Sequence, residues 1–362
     1  MKQFTLYFIL LLTSFLACKK KNEISLPTPK NPENNSFLSA VDISSYPEIN
    51  LSNPAFYDQN GQQKDFLAIL KENGVNTVRL RLWVNPNSEH SGFNEVKEFS
   101  RILKNEGFKT WLTLHYSDTW ADPAHQETPS AWQNKNFDEL KDSVFAYTQK
   151  IVADLQPNYI QIGNEINSGF LHPQGHISNE FQQFETLLNT AAEAVRKTKT
   201  DCQIILHFAG IRDADWFFNL VKNVDYDIIG LSYYPIWHGK DLDSLKMQMN
   251  YLSQTYNRKI VIAETAYPFT LDWNDWTNNI VGAEDQLILP DYPASIQGQK
   301  DYLQKMKTIT KEVDKSIGFC YWGAELIAWK GNQSTQASPW ENQSLFDFQN
   351  KALPVLEVFK GE

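Results

Sequence analysis

The sequence predicts an α/β protein, a single-domain (β/α)8 (TIM) barrel, and three observations carry that prediction. Beyond a polar, proline-containing stretch near the N-terminus, eight apolar, β-rich runs alternate with segments whose apolar residues fall at helical spacing, and no change of composition divides them. Two of those runs, Tyr159-Ile160-Gln161-Ile162-Gly163-Asn164-Glu165 and Ile260-Val261-Ile262-Ala263-Glu264, lead straight into a glutamate. A barrel presents its reactive groups in that way, at the C-terminal ends of its strands and on one face. The turn after the first run lacks a Gly-x-Gly-x-x-Gly pattern, which removes the dinucleotide-binding version of an open, doubly wound sheet.

Residues 1–17 read as an export signal: Lys2 precedes the apolar run Phe4 to Ala17, which is too short to span a membrane. The run ends Phe15-Leu16-Ala17-Cys18 and is similar to a bacterial lipoprotein signal, with Leu one place nearer the cysteine than in the usual order. On that reading Cys18 is lipidated and becomes the mature N-terminus, although an ordinary signal followed by an incidental cysteine gives the same pattern. Residues 18–36 are polar, with Pro27, Pro29 and Pro32, and read as a flexible tether, leaving 37–362 for the barrel. The expected location is the cell envelope, with the membrane reached only through the lipid.

The first strand is expected over Ser39–Ser44, followed by Thr77–Trp83, Lys109–His115, Tyr159–Asn164, Gln203–Phe208, Ile228–Tyr233, Lys259–Glu264 and Ile317–Trp322. Helical spacing appears between them over Asp65–Asn73, Val96–Asn105, Phe137–Leu155, Phe181–Lys197, Ala214–Asn223, Leu242–Tyr256 and Gln297–Val313. Right-handed crossovers make the strands parallel, and eight repeats favour closure. Leu271–Gln297 shows no helical pattern until its end and is expected as an extended loop walling a groove. Cys202 and Cys320 lie inside strand-like segments, too few cysteines for a disulfide framework, and read as small buried hydrophobes.

A net charge of -10 without a basic stripe argues against a nucleic-acid surface and suits a neutral substrate. The loops after strands three, six and seven are rich in polar and aromatic residues, which places the site on one rim. There the two glutamates stand about three βα units apart, across the mouth. Paired carboxyls are what glycosidic cleavage needs, one protonating the leaving oxygen while the other supports the anomeric carbon. Arg79 and Arg81 share strand parity, so that at least one points inward to hold Glu264 as an anion, or to make an internal ion pair. His115 ends strand three, where it bonds a substrate hydroxyl, orients a carboxylate or is a satisfied core histidine; His207 is open in the same way. Trp322 is the first candidate for a sugar platform, ahead of Trp83, Trp120 and Trp237.

The scattered histidines make no zinc spacing, so neither a catalytic metal nor any required cofactor is expected. Asp272, Asn274 and Asn278, in the loop after strand seven, are the candidate oxygen ligands for a structural calcium.

Further segments make the reading more specific. Val78-Arg79-Leu80-Arg81-Leu82-Trp83-Val84-Asn85-Pro86, His115-Tyr116-Ser117-Asp118-Thr119-Trp120-Ala121-Asp122-Pro123, Gln161-Ile162-Gly163-Asn164-Glu165-Ile166, Leu231-Ser232-Tyr233-Tyr234-Pro235-Ile236-Trp237-His238-Gly239 and Glu264-Thr265-Ala266-Tyr267-Pro268-Phe269-Thr270 together resemble glycoside hydrolase family 53, the endo-β-1,4-galactanases. The resemblance spans about residues 40 to 350. It implies a retaining enzyme acting on β-1,4-galactan or type I arabinogalactan, with Glu165 as acid/base and Glu264 as nucleophile. It also implies Asn164 on the sugar's 2-hydroxyl, and substrate contacts from Arg81, His115, Trp120, Tyr234, His238 and Trp322. Calcium in the loop after strand seven follows from the same resemblance. Another β-linked polysaccharide, such as mannan, or a glycan-binding protein without activity, are the alternatives; a monomer is expected.

Overall fold

The computed structural model describes Met1 and residues 37–361. The remainder of the expected signal, the tether and Cys18 lie outside the described residues. Eight parallel strands close into a barrel in chain order: β1 (Leu38–Asp42), β2 (Thr77–Leu82), β3 (Lys109–Leu114), β4 (Tyr159–Ile162), β5 (Gln203–Ala209), β6 (Ile228–Ser232), β7 (Lys259–Thr265) and β8 (Ser316–Trp322). Around it run α1 (Tyr46–Asn50), α2 (Phe66–Glu72), α3 (Phe93–Asn105), α4 (Phe137–Leu155), α5 (Ile177–Thr198), α6 (Ala214–Leu220), α7 (Pro235–His238), α8 (Leu242–Thr255) and α9 (Ile296–Glu312). No helix among the described residues is long and apolar enough to cross a membrane.

Local chemistry sets the helix starts. Asp65 caps α2 through the Ala68 N–H at 2.9 Å, and Ser295 caps α9 through the Gly298 N–H at 3.0 Å. Asn136 and Glu139 form a reciprocal capping box at the start of α4, which satisfies two otherwise unpaired donors. α4 therefore begins and ends where periodicity places it. The four- and five-residue helices α7 and α1 escaped the sequence reading because each is shorter than the period needed to see it.

Strand alternation sorts the core. Outward residues such as Val41, Leu80, Leu112, Ile160, Leu206, Ile229 and Ile262 join the helices in the main hydrophobic cluster. Inward ones, among them Ala40, Trp111, Ile205, Val261, Ala263 and Cys320, form a second cluster inside the barrel. Cys202 and Cys320 are buried and free, as the sequence suggested. Above the apolar plug, toward the C-terminal ends of the strands, lies a buried polar layer of Asp42, Arg79, Gln161, His207, Ser232 and Glu264.

Glu264 enters that layer through an irregularity. Leu231 pairs with Ile262 but Ser232 pairs with Glu264, so Ala263 is an extra residue in β7. Strict alternation from Ile260 and Ile262 would aim position 264 at the helices; the bulge turns it inward. A second irregularity lies on β8 at Gly318, where φ is +136° and a Cβ would stand 2.1 Å from the Leu38 carbonyl oxygen. Only glycine lets β1 approach so closely there.

Two expectations are corrected. β4 stops at Ile162, so Glu165 is presented by the following turn and not by the strand itself. The stretch 271–297 does not wall the groove: Trp276 and Ile280 bond by their N–H groups to the carbonyls of Ser334 and Pro339. It braces the segment after β8, and that segment forms the wall.

Candidate active site

Arg79 organises the polar layer. Its guanidinium is 2% exposed and donates to Asp42 Oδ2 at 2.6 Å, Asn164 Oδ1 at 2.8 Å and Gln161 Oε1 at 3.3 Å. Its Nη2 also lies 2.7 Å from Glu264 Oε1, and beneath it the guanidinium faces the Trp111 ring at 5.6 Å. At 2.7 Å the guanidinium holds Glu264 Oε1 in a close, charge-assisted contact. Glu264 Oε2 accepts the Tyr234 hydroxyl at 3.0 Å. Burial is the largest influence on the Glu264 carboxyl and raises its pKa, while Arg79 and the Tyr234 hydroxyl oppose it. Because these two contacts act on Glu264 and not on its neighbour to the same degree, Glu264 is the carboxyl that ionises first.

Glu165 sits in different surroundings. The chain leaves β4 through Gly163 at φ +75°, where a Cβ would fall 2.3 Å from Ile166 Cγ2, and Glu165 itself adopts φ +47°. That left-handed conformation costs a non-glycine residue on the order of 1 kcal/mol and is held by its surroundings. Gln126 Nε2 donates to the carbonyls of Asn164 and Glu165, at 2.8 and 3.3 Å, and the Ile166 N–H donates to the His207 carbonyl. The Glu165 N–H points to His207 Nδ1 at 3.3 Å, and the Ser232 hydroxyl donates to Glu165 Oε1 at 2.5 Å. Burial, followed by the Glu264 charge, pushes the Glu165 pKa up to about 8. Burial thus raises the pKa of both carboxyls, and only Glu264 has the Arg79 guanidinium in direct contact to offset it.

One oxygen of each carboxyl and one nitrogen of His207 all lie within 4.8 Å of one another. This trio is poorly suited to a metal. The Arg79 cation already stands against Glu264, and both His207 nitrogens are engaged in hydrogen bonds. Burial and Arg79 drive the His207 pKa well down, and burial with both arginines does the same to His115, so both rings are neutral.

The glutamates open into a cavity of about 670 Å³ whose walls include the predicted Trp120, Tyr234, His238 and Trp322. Asn164, Arg81 and His115 stand behind the wall. Asn164 is 1% exposed and gives one amide hydrogen to the Ala121 carbonyl. His115 Nδ1 accepts from the Ala121 N–H and Trp83 Nε1. Arg81 bonds Ser91 and Ser45 and faces the rings of Trp83 and Trp120. Burial lowers the His238 pKa to about 4, and its Nδ1 accepts the Tyr234 N–H.

The sequence reading missed Trp340 and Trp329 in the wall. Trp340 lies 4.6 Å from Trp322, 5.5 Å from Tyr234 and 6.0 Å from Trp237 between ring centroids. The Ser338-Pro339-Trp340 turn was a usable signal, since an aromatic beside a proline after a barrel strand belongs to the reactive rim. Asp42, Gln161 and Ser232 carried no signal of their own.

Of the calcium candidates, Asp272 and Asn278 are exposed, and Asn274 turns its amide toward the Phe348 carbonyl. Two carboxylates nearby are buried instead. Glu341 Oε1 accepts the N–H groups of Asn274 and Asp275, while Glu341 Oε2 and Asp275 Oδ2 have no hydrogen-bond partner.

Replacing Arg79 by Met leaves Asp42 and Glu264 buried without their counter-charge. The expected loss is about 3–5 kcal/mol of unfolding free energy, read by urea denaturation at neutral pH. A variant as stable as the parent would show that Arg79 is not what balances these carboxylates.

With this geometry in place, comparison with known proteins is direct. Residues 38–359 match the model of glycosyl hydrolase family 53. An arabinogalactan endo-β-1,4-galactanase of Cellvibrio japonicus is 35% identical, over 91% of this chain and 92% of its own. An endo-β-1,4-galactanase of Bacillus subtilis is 31% identical, over 90% and 86%. Among solved structures, the family 53 catalytic domain of Ignisphaera aggregans superposes with a TM-score of 0.84 at 38% identity, covering 92% of this chain and 98% of that one. The chain belongs to glycosyl hydrolase family 53.

Proposed function

We propose that the protein hydrolyses β-1,4-galactosidic linkages within galactan and type I arabinogalactan by a retaining, double-displacement mechanism. The observation that carries this reading is the pair Glu165 and Glu264, with one oxygen of each within 4.8 Å on the floor of a tryptophan-lined cavity. An approach this close suits retaining enzymes, whose carboxyls sit about 5–5.5 Å apart, better than inverting ones, which keep about 6.5–9.5 Å to admit a water. The galactanase activity named for the Cellvibrio and Bacillus relatives supports the substrate.

In the first step a lone pair of Glu264 Oε1 forms a bond to the anomeric carbon as the glycosidic C–O bond breaks, and Glu165 delivers its proton to the departing oxygen. In the second, Glu165, now ionised, takes a proton from water as the water oxygen bonds the anomeric carbon and releases Glu264. Asn164, whose Oδ1 is fixed by Arg79, keeps one amide hydrogen for the sugar's 2-hydroxyl. Trp322, Trp120 and the Tyr234–His238 segment form the apolar and polar edges of the sugar site, with Arg81 and His115 acting through the tryptophans they contact.

A calcium in the loop after β7 remains part of the proposal, with the unpartnered oxygens of Asp275 and Glu341 as its anionic donors. It would tie that loop to the segment after β8 and take no part in the chemistry. Export and a lipid on Cys18 complete the proposal, on the strength of the apolar run ending at that cysteine.

Purified residues 23–362 should release mixed short galacto-oligosaccharides early from debranched galactan, with mannan and arabinan uncut. Glu264→Ala should lose at least about 10³-fold in kcat; turnover of mannan in place of galactan would keep the mechanism and discard the substrate. Added calcium should raise the Tm of the protein but not of Asp275→Asn, and indifference of the parent to both calcium and chelator removes the cation. In a bacterial host the full chain should incorporate labelled palmitate, and Cys18→Ala should not; label retained by that variant places the lipid elsewhere.

A further inference from the structure

The catalytic pair leaves one buried group of the site without a role. Ser232, at the end of β6, has its hydroxyl 2.5 Å from Glu165 Oε1 and 2.8 Å from His207 Nε2, and both Ser232 and His207 are fully buried. The direction of this chain follows from its far end. His207 Nδ1 receives the fixed backbone N–H of Glu165 and stands 2.9 Å from the Gln161 side-chain amide nitrogen, whose oxygen is taken by Arg79 Nε. Asn164 Oδ1, 3.2 Å from the same ring nitrogen, already accepts from Arg79 and Gln161. Nδ1 is therefore the lone-pair nitrogen, and the neutral ring carries its hydrogen on Nε2. That hydrogen goes to Ser232 Oγ, which leaves the single serine hydrogen only Glu165 Oε1 to meet.

We infer that Ser232, oriented by His207, is the positioning residue that dedicates Glu165 Oε1 as an acceptor and keeps the transferable proton on Oε2, facing the glycosidic oxygen. The inference rests on the acid/base reading of Glu165. The Ser232 hydrogen bond is formed to a neutral acid before reaction and to a carboxylate after the proton leaves Oε2 for the departing oxygen. Bonds to charged acceptors are stronger, so the interaction grows along the first step and assists proton delivery. Ser232 keeps its hydrogen throughout, and in the second step water returns a proton to Oε2.

The groups facing Glu165 are Glu264 from β7, Arg79 from β2, His207 from β5, Asp122 from the loop after β3 and Tyr234 after β6. Ser232→Ala changes none of these charges; it removes the donor to Glu165 Oε1, which favours the carboxylate form most, and the acceptor of the His207 Nε2 hydrogen. The parent needs Glu165 protonated, so its kcat/KM should fall as pH rises through about 8. Without the donor the carboxylate is less favoured, and that alkaline limb should move to higher pH by roughly one unit.

The test is a pH–rate series on Ser232→Ala, Ser232→Thr and the parent, with two substrates: galactan, and an aryl galactobioside whose dinitrophenolate leaving group needs no acid. Ser232→Ala should lose roughly 10- to 100-fold in kcat on galactan with KM little changed, while its first-step rate on the aryl substrate stays near that of the parent. Ser232→Thr, which keeps the hydroxyl, should keep the parental limb. An unmoved alkaline limb in Ser232→Ala, or equal losses on both substrates, overturns the inference. His207→Asn supplies a second arm: it should shift the limb in the same direction, and an unmoved limb there rejects the His207 part. Glu165→Ala run in parallel separates the two readings, since galactan cleavage surviving in that variant discards the acid/base assignment itself.

Discussion

The site depends on one buried cation. Arg79 reaches from β2 to Asp42 on β1, Gln161 on β4, Asn164 in the turn beyond it and Glu264 on β7, so a single side chain ties together strands from around the barrel. A guanidinium inside a protein is tolerated only when its charge is balanced and its donors are used, and Asp42 and Glu264 supply the balance. The consequence is chemical as well as structural. Arg79 stands against one glutamate and not in the same contact with the other, so the two identical carboxyls differ in how readily each gives up its proton. The anion at Glu264 then helps to keep Glu165 protonated. Two groups of one residue type can divide acid and nucleophile only through such an asymmetry.

Both glutamates reach the site through departures from regular backbone. The extra residue Ala263 turns Glu264 from the helix side of β7 to the interior, and the left-handed Gly163 and Glu165 carry the other carboxyl off the end of β4. Irregular backbone of this kind persists where neighbours over-determine it. Here Gln126 takes two consecutive carbonyls, and His207 binds the turn by its ring nitrogen and by its own carbonyl. The same imidazole that pins the backbone of Glu165 directs the hydroxyl on its side chain, so conformation and proton placement are set by one residue.

Periodicity made the barrel legible, because eight strands and the longer helices each repeat a local pattern several times over. Glu165 and Glu264 were legible for a related reason: each terminates an apolar run, and a charge in that position has few structural uses. The facing of Glu264 was not legible, since the bulge exists only relative to the partners on β6 and β8. Gln161, Ser232 and Asp42 were silent because their meaning lies in contacts with residues tens of positions away. His207 was ambiguous for the same reason, as nothing local distinguishes a histidine that orders a catalytic turn from one that fills a core. Trp340 went unread because it follows the last strand by a long irregular segment.

The arrangement separates binding from chemistry in space. The polar layer is built on strands and fixed by Arg79, whereas the rings that border the cavity, apart from Trp322 at the end of β8, follow the strands: Trp120 after β3, Tyr234 and Trp237 after β6, Trp340 after β8. Those loops are held by each other. Trp340 packs against Trp322, Tyr234 and Trp237, and Asn342 beside it donates to the carbonyls of Thr270 and Val281 in the loop after β7. Aromatic faces bind sugar rings through apolar area and tolerate small shifts, while proton transfer does not. Change in the loop after β8 therefore reshapes the cavity wall while the strand-built layer that positions the two glutamates stays in place. Conversely, loss of Arg79 acts on every substrate alike, because no loop movement can restore the counter-charge beside Glu264.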